Sequence, residues 1–92
     1  MKSKQVVIKN KTGLHARPAN LFVKTAQKFE SHIELEKEGN LYNGKSILSV
    51  LSLGAGKGTS LTIQAEGKDE EEAVRTLSEL IDQNLGEEED SI

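Results

Sequence analysis

Apolar positions along this chain switch between a period of two and a period of three to four. From Lys4 to Lys9 the chain alternates weakly, with Val6 and Ile8 on one face, which predicts a first strand. Asn10-Lys11-Thr12-Gly13 reads as a turn or loop. From Ala16 to about Lys28 the spacing becomes helical. Ala19, Phe22, Val23, Ala26 and Phe29 recur at three- and four-residue steps and form one apolar stripe, with Pro18 in the first turn, where its missing N–H costs little. His32 to Glu36 alternates again, with Ile33 and Leu35 inward. Glu38-Gly39-Asn40 then turns the chain into a short partner strand at Leu41-Tyr42. Ser46 precedes Ile47 to Leu53 and Gly54 follows, a preferred N-cap and a preferred residue just past a helix end, so a short helix is expected between them. Thr59 to Glu66 alternates cleanly, with Leu61, Ile63 and Ala65 on one face. Val74, Leu77, Leu80, Ile81 and Leu85 form the stripe of a last helix, which Asp69 and Glu72 are placed to start as a capping box.

The order is βαββαβα. Strands with one apolar face each imply a single sheet, with helices on one side and water on the other. The split βαβ connectivity predicts a four-stranded, mostly antiparallel sheet covered on one face by three helices, an α+β open-faced β-sandwich. The 92 residues fit one domain, with no internal repeat or linker. Charge marks its limit. The net charge is −3, yet Glu87 to Asp90 carry −4 without a Lys or Arg, leaving residues 1–86 at about +1. We therefore expect a domain over 1–86 and an acidic, disordered tail over 87–92.

Composition removes several classes of function. Without cysteine there is no disulfide, zinc-thiolate site or redox couple. Aromatic residues make up 3% of the chain and no basic cluster occurs, which argues against direct nucleic-acid binding. The N-terminus has no apolar stretch of signal-peptide length, and the apolar runs are far too short to insert in a membrane, so a cytoplasmic protein is expected. No metal site, cofactor motif, paired-carboxylate cleft or Ser/His/Asp set stands out. Gly54-Ala55-Gly56-Lys57-Gly58 lacks the spacing of a phosphate-binding loop.

The strongest chemical signal is Gly13-Leu14-His15-Ala16-Arg17-Pro18-Ala19. It sets a histidine just before a helix start, where backbone N–H groups favour an anion. A neutral imidazole is a nucleophile and can carry a phosphoryl group, with Arg17 offering a planar fork to its oxygens. The plainer reading is a capping histidine beside a surface arginine, and spacing alone leaves both open. His32 has no nearby Arg, carboxylate or second His at metal-ligand spacing and reads as a surface residue. Ser46 suits an N-cap hydroxyl and, at the same place, a phosphorylation site. Ile47, Leu48, Val50, Leu51 and Leu53 cover too much of a short helix for all to be buried, so some should face outward as a docking patch. Ala16, Asn20, Lys24 and Gln27 lie opposite the apolar stripe of the first helix and would form a polar, positive flank beside His15.

Taken together, these residues resemble HPr, the histidine-containing phosphocarrier family of the bacterial sugar phosphotransferase system. Gly13 to Ala19 is similar to the family's active-site signature. Lys45-Ser46-Ile47 and Ser52-Leu53-Gly54 are similar to its regulatory-serine region, and the resemblance spans about residues 2–85. It implies a stoichiometric phosphoryl carrier rather than an enzyme. Phospho-enzyme I, charged by phosphoenolpyruvate, would phosphorylate His15 on Nδ1, Arg17 would assist, and EIIA domains of sugar transporters would accept the group. It further implies phosphorylation of Ser46 by HPr kinase/phosphorylase and binding of that form to catabolite control protein A. Leu48, Leu51 and Ser49 stand where Gram-positive members commonly carry Met, Met and Gly. Lys11-Thr-Gly-Leu and Leu35-Glu-Lys-Glu-Gly also look like the catabolite-repression paralogue, which implies an alternative: a mainly regulatory module acting through phospho-Ser46, able to exchange strands between two chains. That paralogue typically lacks the active histidine, whereas His15 is present here.

Overall fold

Residues 1–86 are described by a computed structural model of the chain. The strands are β1 (Lys2–Val7), β2 (His32–Lys37), β3 (Asn40–Asn43) and β4 (Ser60–Glu66). The helices are α1 (Ala16–Ala26), α2 (Ile47–Ser52) and α3 (Glu70–Asp82), and a 3-10 turn follows at Asn84–Gly86. The element order is the one the hydrophobic periods predict. The acidic segment 87–92 lies outside the described residues.

The sheet runs β1-β4-β2-β3 with every neighbouring pair antiparallel. Its register places Val6 opposite Leu61, Leu35 opposite Ile63 and Ile33 opposite Ala65, so inward side chains meet across the strands. These residues are buried with Phe22 of α1, Val50 of α2, and Leu77 and Ile81 of α3. On the other face Gln5 pairs with Thr62 and Glu34 with Gln64, a polar surface with no covering layer among the described residues. A one-residue slip would turn Leu35 and Ile63 to water, so the core fixes the register. Between β2 and β3 the turn has positive φ at both Glu38 (52°) and Gly39 (83°), the geometry of a two-residue hairpin, and Lys37 opposite Asn40 closes it.

Besides Leu85, which was expected on the stripe of the last helix and lies buried past its end in the 3-10 turn, two local expectations change. β1 begins at Lys2, earlier than the alternation suggests, because polar Lys2 to Lys4 pair with Ala65 to Ile63 without an apolar signature of their own. Ile8 lies past the strand end but stays buried. Its N–H donates to the Thr59 carbonyl at 2.9 Å and its carbonyl accepts from Gly58 N–H at 2.7 Å. The second change concerns the start of α3. Asp69 occupies the N-cap position, but its side chain makes no capping bond. Its carboxylate instead spans to the turn after α1, accepting from Glu30 N–H and Ser31 N–H at 2.9 Å each and from the Ser31 hydroxyl at 2.5 Å. Glu70, not Glu72, reaches back to accept from Gly67 N–H at 3.1 Å. The expected capping box is thus replaced by a tertiary clamp that joins the α1–β2 turn to the base of α3.

That clamp makes stability depend on acid. The Ser31 hydroxyl, then the Glu30 N–H, hold the Asp69 carboxyl down at about 2. An unfolded Asp titrates near about 3.9, so the stabilisation is complete above that value and lost as pH falls through the folded one. Asp69→Asn should lower the urea midpoint at neutral pH. The gap from the parent should narrow between about pH 4 and pH 2. Urea melts at several pH values check this, and a constant gap would contradict it.

Candidate functional site

Burial separates two adjacent side chains just before α1. Leu14 is buried, 3% exposed, in the core cluster; His15 is exposed. His15 sits at the N-cap of α1 in extended backbone conformation (φ −98°, ψ −177°), and its carbonyl accepts from Ala19 N–H at 2.8 Å. Its ring makes no capping hydrogen bond, so the plainer reading of a capping imidazole does not hold. Ala16 and Arg17 lie in the first turn, where N–H groups have no carbonyl one turn back within the helix. Arg17 is exposed, while Pro18 and Ala19 are buried and seat the helix on the core.

Backbone bonds from both sides hold this loop. Asn10, itself buried, donates its side-chain amide to the Gly13 carbonyl at 2.8 Å, and Gly13 N–H donates to the Asn10 carbonyl at 3.1 Å. Leu14 N–H donates to the Ala55 carbonyl at 2.8 Å. The segment Gly54 to Gly58, set aside in the sequence for lacking a phosphate-loop spacing, is therefore the wall on which the His15 loop rests. Spacing did not reveal this, because the contact is made by a carbonyl that any residue carries.

Ser46 is the N-cap of α2, and its hydroxyl accepts from Ser49 N–H at 3.3 Å. The Ser49 hydroxyl accepts from Asn43 N–H at 2.8 Å and fastens α2 to the end of β3. Lys45 donates its ammonium to the Phe29 carbonyl at 2.6 Å, and the Gln27 amide donates to the Lys45 carbonyl at 3.1 Å. At the other end of α2, Lys37 donates to the Leu53 carbonyl at 2.8 Å, where a cation suits the negative helix terminus. A six-residue helix is marginal alone, and these bonds to the turn after α1, to β2 and to β3 hold it in place.

The expected outward patch is present on α2. Leu48 is 78% and Leu51 38% exposed, whereas Val50 and Leu53 are buried and Ile47 is half-buried against the core. On α1, Ala16, Asn20 and Lys24 are exposed as expected. Gln27 is exposed too, but it lies just past the helix and its amide is committed to Lys45. The sequence reading passed over Leu21, an exposed residue on another side of α1, whose methyl group lies close to Gly86. It also passed over a carboxylate beside His32. Glu34 follows two residues later on the same strand face, and its Oε1 lies 3.5 Å from His32 Nε2. His32 remains a surface residue, and no group of metal-binding side chains occurs among the described residues.

Fold and site together define an open-faced α+β sandwich that presents one exposed imidazole at the start of a helix, with apolar side chains on a neighbouring short helix. A family profile described as "PTS HPr component phosphorylation site" matches residues 2–83. The chain is 49% identical over 82 residues to the HPr-like protein Crh of Halalkalibacterium halodurans, covering 89% of this chain and 98% of that one. Among solved structures, HPr-C-His from Thermoanaerobacter tengcongensis matches with a TM-score of 0.93 at 53% identity, covering 97% of this chain and 100% of the other. The phosphocarrier protein HPr of Bacillus anthracis strain Ames matches with a TM-score of 0.82 at 45% identity, over 85% and 93% of the two chains. The chain belongs to the HPr family, the phosphocarriers of the phosphotransferase system. No helix among the described residues is long and apolar enough to cross a membrane.

The cap at Ser46 yields a stability prediction. Its bond is long at 3.3 Å, so Ser46→Ala should cost the lower part of the usual range, about 0.5–1 kcal/mol. Urea denaturation measures it, and a loss above about 2 kcal/mol would mean that Ser46 does more than cap.

Proposed function

We infer that His15 is the phosphoacceptor of this carrier, taking the group from phospho-enzyme I and passing it to EIIA domains of sugar transporters. The observation that carries this reading is an exposed His15, unused for capping, at the N-cap of α1 and two residues before the exposed Arg17. The lone pair of a neutral ring nitrogen, Nδ1 by family resemblance, forms the bond to phosphorus. The donor's bond to phosphorus breaks, and its electron pair leaves with the donor. The reverse displacement at the acceptor returns the imidazole unchanged, so the protein acts as a stoichiometric carrier and not as an enzyme. A dianionic phosphate at this helix start gains about 0.3–1 kcal/mol from the amide dipoles, with Arg17 able to add charge-assisted hydrogen bonds.

Docking falls to the surface around the histidine: Ala16, Asn20, Lys24 and Gln27 on one side, Ile47, Leu48 and Leu51 on the other. Apolar centre and basic rim suit partners with acidic, partly apolar faces. We assign Ser46 as the regulatory site for HPr kinase/phosphorylase, with catabolite control protein A as reader of the modified form, in the cytoplasm. The likeness to Crh supports a second reading, a mainly regulatory module acting through phospho-Ser46. The presence and exposure of His15 favour the carrier.

Incubation with enzyme I and phosphoenolpyruvate should give acid-labile label that is lost in His15→Ala and kept in His32→Ala. Equal labelling of His15→Ala would overturn the assignment. Charge at Ser46 lies on the proposed docking side. Ser46→Asp should therefore slow enzyme I-dependent labelling several-fold at low ionic strength and less at high salt. Equal rates at low salt would contradict a shared surface.

A further inference from the structure

Gly13 does not merely end a turn. Its φ is +66°, which favours glycine, and it lies against another backbone. A Cβ built there would stand 2.2 Å from the Ala55 carbonyl oxygen and 2.6 Å from Gly56 Cα. Both neighbours are main-chain atoms and cannot swing aside as a flexible side chain would. One residue further on, the same Ala55 oxygen accepts the Leu14 N–H. On the opposite side, the Asn10 amide holds the Gly13 carbonyl at 2.8 Å. The loop is thus pinched between Asn10 and the segment Ala55-Gly56, and the backbone leaving the pinch runs directly into His15.

We propose that Gly13 is a positioning residue for His15: only a residue without a side chain lets the loop close on Ala55, and that closure sets where the imidazole stands relative to the first turn of α1. This rests on the reading of His15 as phosphoacceptor. Leu14 transmits the constraint. With its N–H bonded to Ala55 and its side chain in the core, the loop cannot rotate, and His15 faces outward at the N-cap. Group transfer between two proteins needs the nucleophile held within a narrow range of positions and angles, and small displacements are costly in rate. The pinch meets that need without any bond to the ring itself, which leaves the nitrogen free to react.

The test compares Gly13→Ala with Gly39→Ala. Gly39 has comparable positive φ (+83°) but nothing within 4 Å of an added Cβ, so it carries the backbone strain without the collision. With enzyme I and phosphoenolpyruvate, Gly13→Ala should lose about tenfold or more in kcat, with KM within about threefold, while Gly39→Ala transfers as the parent does. Amide hydrogen exchange at Leu14 should rise about tenfold or more in Gly13→Ala relative to core amides such as Ile63. Should Gly13→Ala fail to fold, Asn10→Ser opens the pinch from its other side and should show the same kcat and Leu14 exchange effects. Four results would overturn the proposal: unchanged kcat in the folded variants, a loss in KM alone, an equal loss in Gly39→Ala, or unchanged Leu14 exchange. If the parent chain itself takes no label, the phosphoacceptor reading falls. Leu14 exchange in the variants then still decides whether the pinch holds the loop.

Discussion

The hydrogen bond from Leu14 N–H to the Ala55 carbonyl is where the core and the site of this protein meet. Leu14 is a core residue whose neighbour faces water: the loop turns at Gly13, and the backbone is extended at His15, the N-cap. Once that backbone is fixed, the helix that follows has little choice of direction. Pro18 and Ala19 seat it, Phe22, Val23 and Ala26 lock its stripe into the core, and the exposed face carries Ala16, Asn20 and Lys24. The apolar stripe alone would allow a helix that begins a residue earlier or later. The anchored loop removes that freedom, so the burial of α1 and the placement of His15 follow from the same constraint.

Wherever side-chain periodicity carried the information, the sequence was legible. The sheet faces and the two long helices follow from apolar spacing, because burial is a property of side chains and their repeat is visible in one dimension; the short helix follows from its flanking Ser46 and Gly54, and its surplus of apolar residues required some to face outward. The places where the reading changed are those where main chain or a distant partner decides. Asp69 looks like a helix cap beside Glu72, yet it faces the Glu30 and Ser31 amides of another turn, and three donors outweigh the capping bond it gives up. Gly54 to Gly58 looks like an idle loop, yet its Ala55 carbonyl supports the site. Ser49 looks like an ordinary residue of a short helix, yet it ties α2 to Asn43. None of these has a sequence period: Asp69 and Ala55 reach segments far apart in the chain, and Ser49 bonds a main-chain N–H six residues back.

The two serines of α2 show how a short helix becomes a defined surface. Ser46 closes its first turn and Ser49 fastens that turn to the hairpin, while Lys37 satisfies the carbonyl at the far end. Held at both ends, the helix can leave Leu48 in water without fraying. A docking patch on a loose helix would have to be ordered on binding, which weakens association. Here α2 is held at both ends in the free chain, so under the proposed docking role the conformational cost would fall on folding rather than on binding.

A carrier differs from a binding protein in that it must not hold its cargo too well. Every interaction that favours the loaded state must be given up when the group leaves, so deep burial or a dense cage of donors would slow release. The exposed imidazole at the start of α1 fits this requirement. Its neighbours are helix-end amides worth about a kilocalorie or less and one solvent-facing arginine, whose contribution water and salt reduce. Rigidity is therefore placed in the backbone beneath the ring, in the Asn10–Gly13–Ala55 pinch, rather than in bonds to the ring. Precision of position and weakness of attachment are separated in space, a separation that in the proposed carrier role would let His15 meet a donor and an acceptor in turn with the same geometry.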